Sequence, residues 1–92
     1  MNQTQAEVVG LQALGWLIGN DDLRSVFLGA SGATVDDLKT RASDSDFLAS
    51  VLEFILMDDA HVTGFCDANG LSYDTPMLAL YSLPGQAVPN WT

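Results

Sequence analysis

The chemistry-bearing residues of this chain are few, and their spacing is the first thing to weigh. His61 is the only histidine and follows the acidic pair Asp58-Asp59. A metal site needs three or four ligands converging on one point. Asp58, Asp59 and His61 on one turn of helix point in different directions, and neither an HExxH pattern nor an EF-hand loop surrounds them. Cys66 is the only cysteine. It lies five residues after His61, a spacing that keeps the two side chains apart on a helix, so a Cys–His nucleophilic pair is not expected. Asp44-Ser45 sits where acyl carrier proteins place the serine that bears phosphopantetheine. Asp46 occupies the next position, where those carriers have leucine, so a carrier modified at Ser45 stands as an alternative reading only. No Gly-x-Ser-x-Gly elbow, Walker loop or dinucleotide fingerprint is present. The expectation is a protein that is not an enzyme, with no cofactor and no metal.

What remains is charge. Twelve Asp and Glu oppose three Lys and Arg, for a formal net charge of -9. Affinity for phosphates comes mainly from Lys and Arg, so direct binding to nucleic acid or to an anionic membrane surface is not expected. A basic protein is the partner this balance suits. Asp21, Asp22, Asp36, Asp37, Asp58 and Asp59 are the candidate protein-binding residues. Each also has a plain structural reading as a helix-start residue, because the positive end of the helix dipole favours negative charge there. An acidic mimic of nucleic acid that occupies a basic protein is a second alternative.

The elements that position these groups read as short helices. Thr4-Gln-Ala-Glu7 has the form of a capping box, opening a helix to about Ile18 with Val9, Ala13, Leu14, Trp16 and Leu17 on its apolar side. Asn20 caps a second segment carrying Leu23, Val26 and Phe27, which Ser31-Gly32 stops. Thr34 caps a third, with Arg41 near its end. Ser43 or Asp44 caps a helix from Phe47 to Met57, apolar nearly all round and so expected at the buried centre. Asp58 caps a fifth segment ending at Asn69-Gly70. Ser72 caps a last one, with Pro76 in or near its first turn and Leu78, Leu80, Tyr81 and Leu83 facing inward. Leu83-Pro84-Gly85 ends it. Strand-like alternation never persists.

The second half also imitates the first at a spacing of about 38 residues. Leu14-Gly15-Trp16-Leu17-Ile18 aligns with Leu52-Glu53-Phe54-Ile55-Leu56, Asp21 with Asp59, and Gly32 with Gly70. The expected fold is all-α, a compact orthogonal bundle of five to six short helices with two pseudo-repeated halves. The helices around Leu14 and Leu52 should lie against each other. Residues 1–85 read as one domain and 86–92 as a flexible tail containing Trp91. A lone cysteine, no secretory pattern in Met1–Glu7 and no apolar run near the roughly 18 residues of a membrane span all fit a cytoplasmic protein.

Several of these segments also carry a family likeness. Ala13-Leu14-Gly15-Trp16-Leu17, Asp37-Leu38 with Arg41-Ala42, and Phe47-Leu48-x-x-Val51-Leu52-Glu53-Phe54-x-Leu56-x-Asp58 form the main part of it. With Gly70-Leu71 and Leu83-Pro84-Gly85, they make the chain resemble the bacterial family catalogued as domain of unknown function 3572. The resemblance covers about Leu11 to Gly85. Ser45 departs from the proline common there in the family, and both residues suit a first helical position. The likeness implies a small helical protein and supplies no activity. The functional expectation is therefore a protein-interaction or accessory module.

Overall fold

The computed structural model describes residues 1–84. It contains α1 (Gln3–Ile18), α2 (Asp21–Ser31), α3 (Val35–Thr40), α4 (Ser45–Leu56), α5 (Asp59–Asn69) and α6 (Thr75–Ser82), with no strand among the described residues. The fold is an all-α bundle. Gly85, the proposed tail and Trp91 lie outside the described residues.

Short polar residues set most of the helix starts, though not all as expected. The Asn2 Oδ1 accepts from the Gln5 amide at 2.8 Å and the Asn2 amide donates to Gln5 Oε1 at 3.1 Å. This capping box lies two residues before the expected Thr4–Glu7 box, so both Thr4 and Glu7 fall inside α1. Either pair has the required polar spacing, and the earlier one satisfies the amides of a longer helix. Asn20 precedes α2 but gives its amides no side-chain acceptor. Its Nδ2 instead donates to the Trp16 carbonyl at 2.7 Å, closing α1. Asparagine can do this because its amide donates as well as accepts. For α4 the cap is Asp44 rather than Ser43. The α6 cap position is Asp74, not Ser72, whose hydroxyl donates to Asp74 Oδ1 at 2.8 Å. Pro76 occupies the first turn of α6, where a missing N–H costs nothing. α2 and α5 both stop at left-handed glycines, Gly32 at φ 72° and Gly70 at φ 66°, the backbone region where a Cβ is disfavoured.

α1 and α4 pack together at the centre, and α6 packs against both. α4 buries Phe47, Leu48, Ala49, Val51, Leu52, Phe54 and Ile55, while α1 contributes Ala6, Val9, Ala13, Leu14 and Leu17. A Cβ on Gly10 would sit 3.0 Å from the Leu48 Cβ, so this glycine sets how closely α1 and α4 approach. Phe27 anchors α2 edge-on against Phe47 and Phe54, at centroid distances of 6.0 and 5.4 Å. Two expected core positions are not in the core. Val26 and Leu78 are exposed, because α2 turns Phe27 inward and α6 buries Pro76, Ala79 and Leu80 instead.

The imitation between halves is seen in α2 and α5 but not in the other helices or in the packing. α2 and α5 have equal length and matching left-handed stops. The third helices differ: α6 lies against α1 and α4, whereas α3 has no comparable contact with either. A structural repeat of the halves is therefore not established.

Candidate functional site

The six candidate carboxylates occupy three separate helix starts, and their roles differ. Asp37 is used locally: its Oδ2 accepts from the Thr34 amide at 2.9 Å, and its own amide donates to Thr34 Oγ1 at 3.3 Å. Asp58 caps α5 by accepting from the Ala60 amide at 2.9 Å. Asp21 pairs with Arg24 at 3.0 Å, on a side chain that is 85% exposed. Among the described residues, Asp22, Asp36 and Asp59 form no ion pair and are exposed. Capping absorbs two of the six and an exposed salt bridge a third, leaving one unpaired carboxylate at each helix start. No group of three or more His, Cys, Asp or Glu among the described residues is placed to hold a metal ion.

His61 is turned toward aromatic neighbours. Its ring stacks on Phe54 at 5.3 Å between centroids and lies 6.5 Å from the Trp16 ring. Nε2 is 4.0 Å from an Asp58 oxygen, and the buried Nδ1 has no hydrogen-bond partner among the described residues. Cys66 is buried, and its thiol donates to the Ser72 carbonyl at 3.4 Å. Burial, reinforced by the charges of Asp67 and Asp74, pushes the thiol pKa above its ordinary value. A protonated, enclosed thiol is a poor nucleophile. His61 and Cys66, both on α5, thus have separate partners outside that helix.

Ser45 is the first residue of α4 and is half-buried. The neighbouring Asp44 accepts from the Asp46 amide at 3.0 Å and from Arg41 Nη2 at 3.0 Å. The Arg41 hydrogen bond, then the Asp46 amide, hold the Asp44 carboxyl below its ordinary pKa. The Arg41 guanidinium also lies 5.0 Å over the Phe47 ring. Asp44 is thereby engaged in fixing the start of α4.

Sequence reasoning missed a groove of about 220 Å³ between α2 and α4. Phe27 and Ala30 form one side, Phe54 and Met57 the other, and Ser50 and Glu53 stand on its rim. The signal was present in α4. Asp46, Ser50, Glu53 and Met57 recur at helical spacing, and all four are exposed. A helix read as apolar nearly all round therefore has one exposed stripe, polar except for Met57. A second hollow of about 520 Å³ separates α5 from α6, and Asp59 lines it with Val62, Tyr73, Asp74 and Met77. Among the described residues, no helix is long and apolar enough to cross a membrane.

No curated protein and no solved structure matches the chain significantly. The family model for proteins of unknown function DUF3572 matches residues 3–86, a span that takes in all six helices and the α1–α4 centre. With that match over most of its length, the chain belongs to the DUF3572 family.

Proposed function

We propose that this chain is a non-enzymatic cytoplasmic accessory protein that engages a basic protein partner. The supporting observation is the set of exposed, unpaired carboxylates Asp22, Asp36 and Asp59 on a chain with a net charge of -9. Such a surface raises encounter rates with a basic partner and disfavours acidic ones. Attraction of this kind is screened over about 8–10 Å at ordinary salt.

The test is capture of partners from the native host on the purified chain at low salt, followed by a salt wash. A basic protein should be retained and should elute as salt rises. Combined Asp22→Asn, Asp36→Asn and Asp59→Asn changes should weaken its retention while far-UV circular dichroism stays native. A partner held equally tightly in high salt, or no retained partner, overturns this reading. Competition by duplex DNA for the same partner would identify the chain as an acidic mimic of nucleic acid rather than a general adaptor.

A further inference from the structure

The groove between α2 and α4 combines an apolar floor with negative surroundings, and the two point to one kind of occupant. Met57, at 81% exposed, is the most exposed large hydrophobic residue among those described. A single exposed apolar residue is ordinary, but Met57 stands beside the Phe27 and Phe54 rings and Ala30. Val26, one helical turn before Ala30, adds another apolar side chain at 56% exposed. Methionine suits such a place because its flexible thioether adapts to different partners.

The one charged side chain lining this floor is negative. Glu53 stands on the rim, and Asp46 lies two turns earlier on the same exposed stripe of α4. Ala30 and Ser31 belong to the last turn of α2, and Phe54 and Met57 to the end of α4. Both helices thus present their negative dipole ends at the groove, and neither has a basic residue in its last turn. None of the chain's three Lys and Arg lines the groove. Arg24 is bound to Asp21 and to the Ile18 carbonyl, and Arg41 to Asp44. A second copy of this chain would bring another net charge of -9 to the same face, so self-association there is disfavoured.

We propose that this groove receives an amphipathic basic helix of a protein partner. One apolar side chain rests on Phe27, Phe54 and Met57, and a Lys or Arg one turn away pairs with Glu53. Apolar anchors at helical spacing in a hydrophobic groove are a common mode of peptide recognition. The inference rests on the basic-partner reading above, but it assigns the contact to a face that none of the helix-start carboxylates lines.

The experiment uses a fluorescein-labelled Leu/Lys peptide with apolar residues at i, i+3, i+4 and i+7, followed by fluorescence anisotropy against the full chain. Saturable binding is expected. Ser50→Arg, at an exposed position, fills the groove and offsets the Glu53 charge, and should weaken binding by about tenfold or more. Glu53→Gln should weaken it by a smaller factor and flatten its salt dependence. The Asp22, Asp36 and Asp59 to Asn combination should change affinity by less than about threefold, because those residues lie outside the groove. A matched Leu/Glu peptide should not bind.

Absence of saturable binding, or equal binding by Ser50→Arg, overturns the groove assignment. So does a chain that is dimeric in solution and becomes monomeric on Ser50→Arg, since a second copy would then be the occupant. A native-host partner whose retention survives Ser50→Arg but not the helix-start substitutions also overturns the groove, while leaving the basic-partner reading in place.

Discussion

Among the carboxylates of this chain, Asp44 does the most identifiable structural work. It accepts from the Asp46 amide at the start of α4 and pairs with Arg41, which also covers the Phe47 ring. Its pKa lies below the ordinary value in the folded chain, chiefly through the Arg41 hydrogen bond. The ionised form is therefore the one that folding favours. The contribution is fully present above the ordinary Asp value of about 3.9, and is lost as pH falls through the lower folded value. Asp44→Asn keeps a capping oxygen but removes the charge. The melting temperature of native chain minus that of Asp44→Asn should be positive near neutrality and shrink toward zero in acid, as read by thermal denaturation across pH. A difference that grows on acidification would contradict the assignment. His61 shows the opposite character: it lies among Trp16 and Phe54, with a buried nitrogen left unbonded.

At the scale of helices, the glycines of α1 separate packing from propensity. Gly10 and Gly15 are both interior to the helix, where glycine is less favourable than alanine by about 1 kcal/mol. Gly15 has open space at its Cβ position, so Gly15→Ala should stabilise the chain by about 0.5–1 kcal/mol. Gly10→Ala would meet Leu48 at its Cβ, an atom fixed to the α4 backbone. Overpacking of that kind costs about 1–3 kcal/mol, more than the propensity gain, so this change should destabilise. Urea denaturation of the two variants gives the signs directly, and matching signs would mean that α1 and α4 do not approach through Gly10. The helix starts carry a parallel lesson. Thr34 and Asp58 were legible as caps because each short acceptor is followed by amides it can reach, while Asp44 was one of two candidates with Ser43. Asn20 was not, because its donating amide found a carbonyl of the preceding helix, a choice made by geometry rather than by residue type.

For the molecule as a whole, the decisive contact is α1 against α4 with α6 laid over both. Leu52 is fully buried at that centre. Leu52→Ala should cost about 2–5 kcal/mol, the range for deleting a buried leucine side chain from a core that only partly relaxes. Chemical denaturation measures it, and a near-neutral effect would mean that α4 is not central. The separation of function from core also belongs to this scale. The buried set includes Phe27 and Phe54, and the same two rings form the floor of the α2–α4 groove, so core packing shapes the surface proposed as the docking site. Substitutions on the rim, at Ser50 and Glu53, therefore probe recognition with less risk to the fold than substitutions of the rings beneath.

The all-helical class, the approximate extent of each helix and the burial of α4 were all determined by sequence. Helical periodicity, short polar caps and glycine stops act over a few neighbouring residues, so local chemistry suffices to read them. Tertiary structure alone decided that Val26 and Leu78 face outward, that α6 rather than α3 lies on the central pair, and that Asp22, Asp36 and Asp59 remain unpaired. It alone brought Phe27 and Ala30 beside Phe54 and Met57. Those outcomes depend on which helices meet and on which side, a long-range arrangement that spacing along one helix does not encode.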